Sequence, residues 1–156
     1  MMIRYLLAIL FFIFVSFLFF YCYSRFYNDD FISCDASASF LWGGDKLDLT
    51  IYQRLHNGYG FVSLSGVLNS GDGIKKYINK SVSFSYNKVD YIYTLKSNSI
   101  NDSPQMTMSK VEEEKWIGDF FIKDGGGMLL KIIPYNNRSW VFYSGINPLF
   151  ICNSNK

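Results

Sequence analysis

The distribution of apolar and polar residues divides the chain into two parts. The first part is an apolar run from Tyr5 to Tyr23, nineteen positions without a charge, in which Ser16 and Cys22 are the interruptions. As an α-helix the run would be about 28 Å long, close to the roughly 30 Å of a bilayer's hydrocarbon core. We therefore predict a transmembrane anchor over residues 1–25. Its defining side chains are Tyr5, Leu6, Leu7, Phe11, Phe12, Phe14, Phe17, Leu18, Phe19, Phe20 and Tyr21.

Three other interpretations of the run are less well supported. A cleaved secretory signal has an apolar region of roughly 7–15 residues followed by a small-x-small site, which this sequence lacks. A lipoprotein signal needs small residues before its cysteine, whereas Phe20 and Tyr21 precede Cys22. A core helix of a soluble protein is disfavoured because the run is apolar on every side and stands at the amino-terminal end of the sequence. Arg4 and Arg25 flank the run, so the charge asymmetry that sets orientation is small. We expect the amino terminus in the cytoplasm and the remainder outside the inner membrane.

After a polar and aromatic stalk at 26–33, the pattern changes to an alternation of period two. Leu47, Leu49 and Ile51 alternate with polar residues, and Val82, Phe84 and Tyr86 alternate with serines. Such alternation is typical of half-buried β-strands. Glycine and asparagine clusters separate the segments, and Gly66 suggests a bulge in one of them. We predict about seven strands, from segments at 36–42, 46–55, 61–68, 74–86, 91–95 (extending towards 100), 128–133 and 138–143, with a last short piece at 148–152.

One segment has a helical signature instead. Ser109 followed by Glu112 is a capping-box pattern, which predicts a helix from Lys110 to about Phe121. We expect Glu112–Glu114 to form its solvated face and the glycines at 125–127 to form a flexible break. The fold class is thus α+β and mainly antiparallel β. A curled or barrel-like sheet carries one short helix, in a periplasmic domain at 34–156 that follows the anchor.

Charge and cysteines limit the function classes. Apart from Arg4, the chain has fourteen basic and thirteen acidic residues, so its charges nearly cancel. This balance argues against a nucleic-acid-binding surface, because such a surface concentrates positive charge. Cys34 and Cys152 bracket the predicted domain. A disulfide between them would persist in an oxidising compartment; two separate thiols or a metal pair are the alternatives. The chain has one histidine and no Cys-x-x-Cys motif, so we expect no metal site.

The sequence offers no catalytic constellation. A nucleophilic triad needs a histidine, and His56 lies in an asparagine- and glycine-containing loop at 56–60. The triple glycine at 125–127 lacks the lysine and the spacing of a phosphate-binding loop. We predict a protein that is not an enzyme and has no cofactor.

Several segments together resemble a known family. After the amino-terminal run come Cys-Asp-Ala from Cys34, the Leu-x-Leu-x-Ile strand from Leu47, the stretch Asn57–Leu68, the Ser-Val-Ser-Phe-Ser-Tyr strand and a terminal Asn-Pro-Leu-Phe-Ile-Cys. This order resembles the FidL-like family of small enterobacterial inner-membrane proteins, over nearly the whole chain. The resemblance implies an inner-membrane protein with a periplasmic domain, encoded in some members beside a ToxR-type membrane-bound transcription regulator.

Two function classes follow. In the first, the domain is an accessory partner that binds or stabilises such a regulator, and an exposed strand edge would be the docking surface. In the second, it is a sensor domain that binds a small apolar ligand within the curled sheet.

Overall fold

The computed structural model describes residues 2–27 and 31–154, with side chains at 9–22 and 31–154. The chain forms two compact units, Met1–Asp30 and Phe31–Lys156. The first contains helix α1, Met2–Tyr27. The second contains eight β-strands and a short helical segment at 110–121, between the fifth and sixth strands. The strands are β1 (Ile32–Trp42), β2 (Asp45–His56), β3 (Tyr59–Asn69), β4 (Lys75–Val89), β5 (Ile92–Asp102), β6 (Gly127–Asn136), β7 (Ser139–Ser144) and β8 (Asn147–Ser154).

Helix α1 contains the predicted anchor. The side chains of Tyr5, Leu6 and Leu7 lie outside the described ones; the other predicted anchor side chains, Phe11, Phe12, Phe14, Phe17, Leu18, Phe19, Phe20 and Tyr21, are exposed. Among the residues that the structure describes, no helix combines the length and apolarity needed to cross a membrane. The anchor therefore stays a prediction. Of the predicted stalk, 28–30 lie outside the described residues, whereas Ile32 and Ser33 already belong to β1.

The eight strands form a closed antiparallel barrel in sequence order, with β8 pairing back to β1. This confirms a mainly antiparallel, barrel-like sheet, with eight strands instead of about seven. The predicted alternation decides which side chains enter the core, because successive residues of a strand point to opposite faces. On β2 the buried positions are Leu47, Leu49, Ile51, Gln53 and Leu55. On β4 they are Ile78, Lys80, Val82, Phe84 and Tyr86.

Some predicted boundaries are wrong because the turns are tighter than expected. The loop predicted at 56–60 is a two-residue turn, with Asn57 at φ 49° and Gly58 at φ 80°. These positive values are those of a type I′ hairpin turn, so His56 and Tyr59 are paired strand residues. Likewise β4 continues to Val89 and turns at Asp90, whose φ is 54°.

Gly66 is not at a bulge. The pairing of β3 with both neighbours is regular through Gly66, and the irregularity in this region lies between Ser83 and Phe84, where β4 pairs with β5. A Cβ at position 66 would lie 2.1 Å from the carbonyl oxygen of Asp48. Glycine is needed here because two backbones approach closely, which is a different use of the residue from the one we predicted.

The predicted helix from Lys110 to Phe121 is two helical pieces. Helix α2 spans Lys110–Trp116 and starts with the expected capping box at Ser109 and Glu112. Gly118, at φ 70°, ends it, and a 3-10 turn follows at Asp119–Phe121. The glycines after it are held to β5, because Ser97 donates its backbone N–H to Gly126 and accepts that of Gly125. The expectation of a flexible break there was wrong.

Candidate functional site

The barrel encloses a cavity of about 220 Å³. For comparison, an apolar cavity of roughly 150 Å³ holds a benzene molecule. The wall is almost entirely aliphatic and aromatic, and it is built from residues of all eight strands and of the helical segment. The lining side chains are Phe40, Leu49, Ile51, Gln53, Val62, Leu64, Phe84, Leu95, Trp116, Ile117, Phe120, Phe121, Met128, Leu130, Ser144, Leu149 and Phe150.

A glycine makes room for one of the aromatic rings in this wall. A Cβ at Gly60 would lie 2.2 Å from the ring of Phe84, its cross-strand partner. Without that Cβ, the Phe84 ring occupies the barrel interior and meets the Phe120 ring edge to face, at 5.5 Å between centroids. The strand pattern and the glycine together therefore connect the barrel wall to the helical segment that lines the other side of the cavity.

Lys80 fixes the helical segment to the barrel. It lies on β4 in the inward phase of the alternation, and its side chain is 1% exposed. Its Nζ forms an ion pair with Glu113 of α2, lies 3.0 Å from Asp102 Oδ1, and donates to the carbonyl oxygen of Phe121 at 3.0 Å. Charges buried to this degree are stable only when they are paired and hydrogen-bonded, and this ion pair gives each of the two charges an opposite partner. The expectation that 112–114 form a solvated face is therefore wrong for Glu113, which is 1% exposed.

Two further ion pairs join α2 to the strands. Lys76 lies 2.5 Å from Glu112, and Lys115 lies 3.2 Å from Asp45. The Lys76 ammonium, with help from the Ser109 hydroxyl and backbone, lowers the pKa of Glu112 to about 2. The backbone N–H of Gly71, followed by Lys115, lowers the pKa of Asp45. Both carboxylates are thus charged at neutral pH, and α2 is held by three ion pairs.

The seam between β1 and β8 is incomplete. Within the described residues, the two strands pair at two rows only, Cys34 with Ser154 and Asp35 with Asn153. Beyond them β1 keeps its partner β2 over the whole length to Trp42. If the same register continued, Trp42 would lie opposite Ile146. The side facing β8 from Ala36 onward is therefore a strand edge, and the cavity residues Phe40 and Leu149 come from its two sides.

The predicted disulfide is confirmed and lies at the paired end of this seam. Cys34 and Cys152 are bonded, with Cα atoms 5.5 Å apart, and both residues are fully buried. The buried amide of Gln53 faces the bridge, with Nε2 at 3.9 Å from Cys34 Sγ and 3.8 Å from Cys152 Sγ. Cys22 is free and exposed. The covalent link thus holds together the two strands that share few hydrogen bonds.

The indole nitrogen of Trp116, a residue of the cavity wall, is buried without a hydrogen bond within the described part of the chain. The Trp116 ring meets that of Trp42 edge to face at 6.2 Å, and Lys115 Nζ lies 5.3 Å from its centroid. These contacts hold the ring from outside the cavity.

Neither Trp116 nor Lys80 was identified from the sequence as a residue of the site. For Lys80 the available signal was its position between Ile78 and Val82, in the inward phase of β4.

His56, which the sequence analysis excluded as a catalytic residue, lies away from the cavity. His56 is exposed at the opposite end of β2 from Asp45, with its ring 5.8 Å from that of Phe31 and its Nε2 3.2 Å from Asn57 Nδ2. Neither neighbour is a carboxylate, and His56 does not line the cavity. Across the described ranges there is no group of three or more metal-ligating side chains. What the geometry offers is an apolar cavity and a strand edge.

Taken together, these features define a disulfide-linked, eight-stranded antiparallel barrel that contains an apolar cavity beside a helical segment. The chain belongs to the YqeJ C-terminal domain family, whose sequence profile matches residues 32–152. That match runs from the first residue of β1 to the second cysteine of the disulfide. Searches of curated proteins and of solved structures found no match. The resemblance to the FidL-like family stays a prediction.

Proposed function

We propose that the barrel is a sensor domain that binds a small apolar ligand in its cavity. The observation that carries this proposal is the apolar cavity of about 220 Å³, closed on one side by the α2 segment. Protein interiors are normally packed with few voids larger than a water molecule. A cavity of this size in a small barrel forgoes packing energy, and a ligand of eight to ten heavy atoms would restore it, by comparison with benzene in roughly 150 Å³.

In this proposal the domain is tethered to the inner membrane by α1 and lies on the periplasmic side. The uncharged run from Tyr5 to Tyr23 and the exposed aromatic side chains of α1 support a membrane environment. The disulfide supports an oxidising compartment, because such bonds rarely persist in a cytosol. An alkaline phosphatase fusion after Lys156 should be active in cells. An inactive fusion, with an active cytosolic reporter at the same place, would reverse the orientation.

Ligand binding is tested by filling the cavity. Leu149 lines the cavity and is half-buried, so Leu149→Trp can place an indole there with little backbone movement. Benzene derivatives of eight to ten heavy atoms should raise the melting temperature of the native full-length chain but not that of Leu149→Trp. Ile151 lies on the same strand, is 47% exposed and does not line the cavity. Ile151→Trp should therefore respond like the native chain. If no compound stabilises the native chain, the cavity is not a binding site.

A second candidate function is favoured by the β1–β8 seam. Here the domain is an accessory partner that binds the periplasmic part of a ToxR-type membrane-bound regulator. Unpaired strand edges accept an added strand through backbone hydrogen bonds, and β1 from Ala36 onward offers such an edge. Leu41 and Ile146, near the same end of the barrel, are 79% and 92% exposed, and exposed apolar groups beside an edge suit a protein contact.

Crosslinking tests this second function directly. A photo-crosslinking residue at Ile146 in intact membranes should capture one membrane-bound transcription regulator. The matched control is Val89 on β4, which is 66% exposed and lies three strands from β1 and four strands from β8 in the barrel. A crosslink from both positions, or from neither, would remove the reason to place a regulator at the seam. The two functions are compatible, because one uses the barrel interior and the other its edge.

A further inference from the structure

Three hairpins lie at the end of the barrel where β1 begins. The strands are antiparallel neighbours in sequence order, so the β2–β3, β4–β5 and β6–β7 turns share this end and the other connections lie at the opposite end. Each of the three hairpins carries one strongly exposed tyrosine: Tyr59 is 69%, Tyr91 53% and Tyr135 69% exposed. Within the described residues they are the three most exposed tyrosines of the barrel. We call this part of the barrel the tyrosine end.

The opposite end of the barrel has a different surface. Its exposed apolar side chains are Leu41, Trp42, Ile74 and Ile146, and three of these four are aliphatic. A tyrosine combines an apolar ring with a polar hydroxyl, which suits a boundary between hydrocarbon and water. For this reason tyrosine is enriched where proteins meet the interfacial region of a bilayer. The chemistry of the tyrosine end therefore fits a lipid headgroup region.

The tips of the same hairpins carry a small excess of positive charge. Lys88 and Arg138 are basic, Asp90 is acidic, and all three are exposed. An anionic bilayer surface attracts basic residues that lie close to it. The charge at the tyrosine end therefore favours contact with anionic phospholipid.

The chain also enters the barrel at the tyrosine end. β1 begins at Ile32, so residues 26–31 separate it from the predicted anchor at 1–25. A segment of this length spans about 20 Å when it is fully extended. A membrane tether as short as this keeps the tyrosine end within reach of the lipid headgroups.

We propose that the tyrosine end lies against the surface of the inner membrane, with Tyr59, Tyr91 and Tyr135 in the lipid headgroup region. This inference rests on the proposed membrane tether and adds a second, non-covalent contact with the same bilayer. A tether alone leaves the barrel free to rotate. The tyrosine contact instead directs the opposite end, with the α2 segment and the exposed residues Leu41 and Ile146, towards the periplasm.

Energy transfer from the two ends of the barrel to labelled lipid measures this orientation. A donor dye is attached at Asn137→Cys on the tyrosine end or at Asp72→Cys on the opposite end, both exposed positions, in a Cys22→Ala background that keeps the disulfide. The strands are roughly 30 Å long, so the two dyes report different distances. The full-length chain is placed in nanodiscs of phosphatidylethanolamine and phosphatidylglycerol with acceptor-labelled headgroups. About twenty glycine and serine residues are inserted after Asp30, because a flexible linker lets an undocked barrel turn freely.

With the long linker, transfer from the dye at position 137 should exceed transfer from the dye at position 72. Changing the three tyrosines together to serine should abolish this difference, because serine has no ring to place among the lipids. The matched control combines Leu41→Ser, Ile74→Ser and Ile146→Ser at the opposite end, where the side chains are also exposed. It should leave the difference intact.

Three results would overturn the inference, and they differ in what else they remove. If the two dyes transfer equally in the long-linker chain, or the dye at position 72 transfers more, the tether stands, but the tyrosine end does not bind lipid and is left to a protein partner. If the tyrosine-to-serine variant keeps the difference, the tyrosines are not what holds the barrel to the membrane. If the full-length chain does not enter nanodiscs, the proposed tether fails and the inference fails with it. The comparison of the two dyes retains the native tyrosines, so it decides the matter even if the serine variant does not fold.

Discussion

Lys80 and Glu113 form an ion pair inside the barrel, and each side chain is 1% exposed. The two residues come from the middle of a strand and from the helix that closes the cavity, so the pair determines where the helix sits. Their surroundings are unequal. Lys80 has two further partners, Asp102 and the carbonyl oxygen of Phe121. Within the described residues, the Glu113 carboxylate has Lys80 as its partner.

This asymmetry predicts unequal costs for the two single substitutions. Lys80→Met leaves a buried carboxylate without its cation and should lower the free energy of unfolding by about 3–5 kcal/mol. Glu113→Gln leaves Lys80 with Asp102, whose side chain is 40% exposed, and should cost less. Urea unfolding of each variant at pH 7 gives the two values. Lys76→Met breaks a pair that is partly exposed and should cost about 1 kcal/mol or less. Equal, small losses for Lys80→Met and Lys76→Met would contradict this account.

Glu112 makes barrel stability dependent on acid pH. Its pKa is about 2 in the folded protein against an ordinary value of 4.5, so the folded state favours the charged form. The resulting stabilisation is present above about pH 5 and disappears as the pH falls towards 2. Glu112→Gln should therefore be less stable than the native chain at pH 7, by about 1 kcal/mol at this partly exposed site, and equally stable near pH 2.

Unfolding free energies measured from pH 7 to pH 2 test this dependence. The native and Glu112→Gln curves should converge as the pH falls. Glu114 lies on the same helix and is exposed, so Glu114→Gln should run parallel to the native curve. If the Glu112→Gln difference stayed constant over this range, Lys76 and Ser109 would not be what stabilises the Glu112 carboxylate.

The Cys34–Cys152 bridge joins residues that are 118 positions apart in the sequence. A crosslink stabilises the fold chiefly by restricting the unfolded chain, and a loop of this length predicts a loss of up to about 5 kcal/mol when the bond is removed. Cys152→Ala with Cys34→Ala should therefore unfold at lower urea concentration, and the β1–β8 seam should exchange amide hydrogens faster than the β2–β3 pairing. Cys22→Ala removes the free thiol and should leave barrel unfolding unchanged. If, in the double alanine variant, amides at the β1–β8 seam exchanged no faster than those of the β2–β3 pairing, the seam would not depend on the disulfide.

Much of the barrel could be predicted from local patterns, because alternation fixes which face of a strand is buried. The phase of Leu47, Leu49 and Ile51 and the cap at Ser109 are local features and were predicted correctly. The pairing of Cys34 with Cys152 followed from their placement at the two ends of the domain. What the sequence did not reveal depends on distant partners. Glu113 looks like a surface residue until β4 places Lys80 opposite it.

Glycines show the same limit. Gly118 interrupts the helix predicted from Lys110 to Phe121, because its left-handed conformation depends on how the chain must turn towards the barrel. The cavity, too, arises from the summed sizes of side chains from eight strands, and no single segment contains that information. Trp116 lies on a short helix whose inward face is defined by the barrel and not by a helical period of its own.

Gly66 gives the sharpest test of the strand packing. A Cβ at this position would lie 2.1 Å from the Asp48 carbonyl oxygen and 2.8 Å from the Leu49 Cδ2 atom. The first neighbour is backbone and cannot rotate away, so Gly66→Ala must push β3 from β2. Overpacking of this kind costs roughly 1–3 kcal/mol, and a backbone clash should lie at the upper end. Gly127 is also a strand residue, but a Cβ there would have its nearest neighbour at 3.9 Å. Gly127→Ala should therefore leave the urea midpoint nearly unchanged or raise it slightly, since alanine restricts the unfolded chain. If the two alanine variants unfolded at the same urea concentration, the claim that β2 and β3 approach too closely at Gly66 for a Cβ atom would be contradicted.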